Sequence, residues 1–188
     1  MATIPARDAD PTAEGLDRTF GAADGPGGRI ALLTSTAESG GASLLLEIHL
    51  SAGARGSRPD HYHLRQSERF EVLDGQLHLH VGRDRRVLGP GDTAFVPAGV
   101  THCYYTTDSP ATARAELRPA RAIERSLRLS SAVGGAALYR NPLLIALALQ
   151  QAEIYYPGVP LAAQRAVVAA LAALARRIYR ARLVRWGV

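Results

Sequence analysis

The stretch that decides the fold runs from His61 to Asp92 and reads HYHLRQSERFEVLDGQLHLHVGRDRRVLGPGD. Within it, Leu77, Leu79 and Val81 alternate with His78 and His80, so an extended chain puts the three apolar residues on one face. Gly75, Gly82, Gly89 and Gly91 punctuate the runs at turn-like spacing. Working outward, the same rhythm of short apolar runs and Gly or Pro breaks predicts strands over 30–35, 43–50, 61–64, 68–73, 76–81, 85–88, 93–96, 101–107 and 111–117. Many short strands with no helical period between them predict an antiparallel barrel or sandwich.

On either side the character of the chain changes. Residues 1–28, rich in Ala, Asp, Pro and Gly, read as an irregular lead-in; 29–118 read as the β-barrel; 119–188 read as a basic helical extension. In that extension Asn141-Pro142 opens one apolar run that Pro157-Gly158 ends. Pro160 opens a second helix to about Trp186, with Val167, Leu171, Leu174 and Ile178 as its stripe. Charge splits at the same place, with 12 Arg against 15 acids before residue 119 and 10 Arg against only Glu124 and Glu153 after it. The tail is therefore expected to dock on an acidic barrel, its own or a partner's, with Leu171, Leu174 and Ile178 inward. A membrane-surface helix using Tyr179 and Trp186 is a weaker alternative, and nucleic acid weaker still, because no helix-turn-helix or interleaved aromatics accompany the arginines.

Composition removes several chemistries. All 22 basic residues are arginine, which excludes a Schiff-base lysine and the phosphate-loop lysine. Cys103 is the sole cysteine, so no internal disulfide or thiolate zinc cluster forms, and its alternation opposite His102 reads as a small buried hydrophobe. Acids in the first residues argue against a signal peptide, and a soluble, cytoplasmic protein is expected.

Histidine carries what chemistry remains. His61 and His63, two apart on a strand, present both rings to one side. Glu68 follows across a turn and His102 comes from a strand introduced by Pro97-Ala98-Gly99. Three imidazoles and a carboxylate suit one divalent transition metal among Fe, Mn, Ni, Cu and Zn, with about two positions left free in six-coordinate geometry. The pair His78/His80 has the same spacing but Arg85 where an acid is needed, so it is read as non-functional, as is His49. Tyr104, alternating with His102, is a candidate proton donor near the metal or else barrel filling.

The arrangement resembles the cupin superfamily, whose two motifs are G-x5-H-x-H-x3/4-E-x6-G and G-x5-P-x-G-x2-H-x3-N. This chain has Gly56-x4-His61-x-His63-x4-Glu68-x6-Gly75 and Gly91-x5-Pro97-x-Gly99-x2-His102-x3-Thr106. It departs in the short first gap and in Thr106 for asparagine. The resemblance covers about residues 29–118. The stretch 61–92 is also similar to a small single-cupin subgroup of high-GC bacteria with an Arg-rich tail containing Gln-Arg-Ala, here 164–166. It implies a cupin barrel (double-stranded β-helix, or jelly roll) with a C-terminal α-helical extension, metal ligands His61, His63, Glu68 and His102, and a homodimer. The implied activity is a metal-dependent enzyme on a small molecule, oxygenase-type first and isomerase or decarboxylase next; the alternative is a non-catalytic binding or sensing cupin.

Overall fold

The computed structural model describes residues 18–21 and 28–188. Among them the chain forms β1 (Thr19–Gly21), β2 (Arg29–Thr34), β3 (Leu44–Leu50), β4 (Tyr62–His63), β5 (Ser67–Gly75), β6 (Leu77–Val81), β7 (Asp84–Leu88), β8 (Thr93–Val96), β9 (His102–Tyr105) and β10 (Ala111–Arg118). Then come α1 (Ile123–Val133), α2 (Gly135–Tyr139), α3 (Pro142–Ala152), β11 (Ile154–Tyr155), α4 (Leu161–Ile178) and α5 (Arg180–Arg185).

One antiparallel sheet runs β1-β2-β3-β10-β5-β8, a second β7-β6-β9, and β11 pairs with β4. Alternation explains which face meets the core. On β10, Ala111, Ala113, Ala115 and Leu117 are buried while the residues between them are not, and β3 turns Leu44, Leu46, Ile48 and Leu50 inward. Phe70 and Val72 of β5 and Leu77 and Leu79 of β6 complete the interior. This is a jelly-roll barrel followed by helices, as the sequence reading expects. Two of the glycines that the backbone requires frame the barrel interior. Gly75 (φ +73°) turns β5 into β6 where a Cβ would strike the Pro110 carbonyl, and Gly56 (φ +55°) passes against the Tyr104 carbonyl.

Several expectations need correction. The lead-in read as irregular contains β1, which pairs with β2 through Thr19–Ala31, Phe20–Ile30 and Gly21–Arg29; residues 1–17 and 22–27 lie outside the described residues. The extension has five helices rather than two. Its helix α3 stops at Ala152, because Glu153 takes a left-handed conformation (φ 51°, ψ 37°) and Ile154–Tyr155 becomes a strand. The long final helix breaks at Tyr179. The stripe is also rotated from its expected direction: Val167, Leu174 and Ile178 are exposed, and Ala172 and Ala175 are buried instead. Small alanines allow α4 to approach α3 closely, forming a second core with Leu129, Leu144, Leu147 and Ala148. Larger side chains on that face would hold the helices apart.

The extension meets the barrel through α1 and the end of α3, since Ile123 and Ala152 belong to the barrel core and Leu127 and Ile154 pack against it. Its two acids both tie it there. Glu124 accepts from the Thr36 amide at 2.8 Å and from Arg128, while Glu153 takes Arg65 from the barrel and Arg121 at 3.0 Å. No helix among the described residues is long and apolar enough to cross a membrane.

Candidate metal centre

His61 lies at the edge of β4, joined to His102 by a two-way backbone bridge, with His61 N–H to His102 O at 3.0 Å and the reverse at 2.7 Å. His63 follows on the same face. The three rings converge, with centroids 5.3 Å apart for His61–His63, 4.6 Å for His61–His102 and 5.6 Å for His63–His102. One nitrogen from each lies within 4.8 Å of the others, and all three residues are buried.

The other nitrogens fix the tautomers. His61 Nδ1 faces the Pro59 carbonyl at 3.1 Å, His63 Nδ1 the Ala152 carbonyl at 2.7 Å, and His102 Nδ1 the Val100 carbonyl at 2.9 Å. A carbonyl only accepts, so each Nδ1 carries a proton and donates it, which turns each Nε2 toward the centre. Ligating histidines are commonly oriented this way by their second nitrogen. Glu68, buried at the head of β5, puts Oε1 3.0 Å from His63 Nε2 and Oε2 3.6 Å from His102 Nε2.

Electrostatics follow from that geometry. Burial, then the neighbouring His102 and His63, push the His61 imidazole down to about 4. Burial disfavours the Glu68 carboxylate, but His102 and His63 outweigh it and hold the group well below the ordinary carboxylate range. Burial also pushes His102 down, and Glu68 more than offsets this, raising it overall. The His102 Nε2 is buried and makes no hydrogen bond. A buried ring nitrogen without a hydrogen bond is costly, and a divalent cation would satisfy it. The residues present therefore fit a metal, with three imidazole nitrogens and one carboxylate as a borderline donor set.

Tyr104 faces the same interior, its ring 5.5 Å from that of Phe70, and burial raises its phenol above the ordinary value. Thr106, at the departing motif position, donates to the Ser51 carbonyl at 2.6 Å and accepts from the Ala54 amide at 2.9 Å, so it pins a turn. His78 and His80 stay away from the centre on the outer face of β6: His78 lies 3.0 Å from Thr107 Oγ1 and stacks on Tyr105, and His49 lies beside Glu47.

Sequence reading missed the contribution of the extension. The centre opens into a cavity of about 270 Å³ whose far wall is Leu138, Tyr139, Leu149, Ile154 and Tyr156. The Ala152 carbonyl that orients His63 is the last of α3, and Ile154 pairs with His63 itself. Arg65 and Arg121 hold Glu153 beside it. A backbone carbonyl has no sequence signature. The rarity of acids in the extension was the available signal, since Glu153 is one of only two after residue 118.

Comparison with known proteins places the motif-bearing segment. The family model of the cupin domain matches residues 47–115. Quercetin 2,3-dioxygenase of Bacillus subtilis is 43% identical over 61 residues, 32% of this chain and 18% of that protein. Oxidoreductase OpS7 of Beauveria bassiana is 42% identical over 52 residues, 27% of this chain and 17% of that protein. The chain thus spans under a fifth of the length of either relative. Among solved structures, an RmlC-like cupin from Shewanella frigidimarina superposes with a TM-score of 0.48 at 23% identity, covering 61% of this chain and 93% of that one.

Proposed function

The chain carries a cupin domain and belongs to the cupin superfamily, and from that premise we propose that it is a metal-dependent enzyme acting on a small molecule by oxygenase-type chemistry. The observation that carries this reading is the set of three buried imidazoles whose Nδ1 protons are all spent on carbonyls, with Glu68 beside them. His61, His63, Glu68 and His102 would hold one divalent ion. When bound, that ion supplies Lewis acidity and, if it is redox-active, one-electron chemistry toward oxygen. The likeness to a protein named quercetin 2,3-dioxygenase favours oxygenase over isomerase or decarboxylase chemistry on the same ligands.

This chain's own residues do the rest. Leu138, Ile154 and Leu149 line the cavity with hydrocarbon. A volume of about 270 Å³ selects a compact ligand, at the low end of small-molecule sites. Tyr104 keeps its phenolic proton near neutral pH because burial raises it, so it can donate a hydrogen bond to a substrate oxygen. The proposal extends to a homodimer, which light scattering tests directly.

The test is oxygen uptake by anaerobically iron-loaded protein against a panel of phenols and keto acids. Uptake that needs both substrate and His102 supports the reading. Metal-dependent turnover without oxygen uptake moves the assignment to isomerase or decarboxylase chemistry. Tight ligand binding with no turnover on any metal overturns the enzyme and leaves a binding barrel.

A further inference from the structure

A second group of metal-ligating side chains lies back to back with the first. Strand alternation produces it: His61 and His102 point into the barrel, so their neighbours Asp60 and Cys103 point out, and His80 stands opposite Cys103 in the β6–β9 register. One ligand atom from each of Asp60, His80 and Cys103 lies within 4.8 Å of the others. His80 Nδ1 is 3.6 Å from Cys103 Sγ and 3.6 Å from Asp60 Oδ1. A tetrahedral ion with metal–sulfur and metal–nitrogen bonds of about 2.3 and 2.0–2.1 Å sets sulfur and nitrogen about 3.5 Å apart. The side chains already stand at that separation.

We propose that Asp60, His80 and Cys103 form a second, outer site for a zinc-type divalent ion, distinct from the inner histidines. The orientation of His80 suits it. Its Nε2 lies 3.3 Å from the Tyr105 hydroxyl, which can accept the ring proton and leave the Nδ1 lone pair for the ion. Arg58 in turn sits over the Tyr105 ring at 4.5 Å. The Cys103 sulfur is buried, and burial and then Asp60 favour its thiol form in the free protein, so the proton must leave for solvent on coordination; thiolate and carboxylate then balance the ion's charge. The fourth position opens on a cleft lined by Arg55, Arg58 and Arg85, whose charge calls for an anionic ligand there.

The sole cysteine makes the test clean. Reduced protein is titrated with cobalt(II) alone, and near-ultraviolet sulfur-to-metal charge transfer is recorded. Because only Cys103 carries a thiol, that absorption reports this site and no other. The wild type should develop the band, Cys103→Ser should lose it while still binding one cobalt, and His102→Ala should keep it. Asp60→Asn should weaken the cobalt dependence of the band by about tenfold. Absence of the band in the wild type under excess cobalt overturns the proposal, without touching the inner-site reading, whose variants are His61 and His102.

Discussion

Replacing Glu153 by Gln should loosen the candidate metal centre from a distance. The Glu153 carboxylate is buried, sits in a left-handed turn and accepts from Arg65 and Arg121, directly after the carbonyl that orients His63. Burial alone would raise this carboxyl, and the two guanidiniums hold it below the ordinary value instead. Glutamine keeps the shape but removes the charge. The partner side chains are 61% and 39% exposed, so solvent screens both pairs, and only the less exposed Arg121 pair is counted toward stability. The loss is about 0.5 kcal/mol, or a Tm about 1–2 °C lower for a chain of this size. Metal affinity should fall further than stability implies, by about tenfold, as it does when a ligand's orienting partner is disturbed. Competition against a chromophoric chelator measures the affinity, and calorimetry the Tm. Glu38→Gln, which removes the Arg18–Glu38 pair and no contact to a residue of the centre, is the control. A Glu153→Gln protein with lowered Tm but the metal affinity of the control refutes the positioning argument.

Three further outcomes follow from the same contacts. Truncation after residue 140 removes β11 from β4 and uncovers Leu129 and Leu138, so the barrel should aggregate and lose metal affinity; a monodisperse truncation with unchanged affinity counts against the extension as part of the site. Arg18 first, and then the Ser35 amide, hold the Glu38 carboxyl at about 2, so its contribution is complete above about pH 4.5 and is lost as pH falls toward 2. Glu38→Gln should therefore lower the Tm near neutrality and not at the acid end, whereas parallel Tm curves would contradict this. Tyr104→Phe should retain metal and fold but lower turnover, and undiminished turnover would return Tyr104 to barrel filling.

What the sequence revealed follows the reach of each signal. Period-two alternation and the Gly and Pro breaks between runs made nine strands readable, from Arg29–Thr34 to Ala111–Arg118; β3 and β10 show one buried face, whereas β7 is buried only at Leu88. Helix α3 was readable from its cap: the Asn141 side chain accepts from the Leu143 and Leu144 amides, with Pro142 in the first turn. Helix α1 begins at Ile123, its N-cap Ala122 offers no side-chain hydrogen bond, and it went unread. Strand β11 reads as a helix end because its pairing with β4 is tertiary and begins at a left-handed Glu153 that sequence does not announce. The direction of α4 was missed because two apolar stripes, one alanine-rich and one of larger side chains, run side by side, and only close packing on α3 chooses between them. At the site, the histidine spacing was visible, whereas the carbonyl and the wall that close it come from residues 138–156.

The most direct test of the four-residue centre is calorimetry with and without metal in a Cys103→Ser background, which isolates the inner site. A ligand that binds only the folded state adds RT ln(1 + [L]/Kd), about 2.7 kcal/mol at a hundredfold excess over Kd. That amounts to a Tm rise of about 5–10 °C for a chain of this size. The rise should be present with His102, whose Nε2 is buried without a hydrogen bond, and absent or much reduced in His102→Ala. An equal rise in both proteins, or none in either, contradicts a metal held by His61, His63, Glu68 and His102.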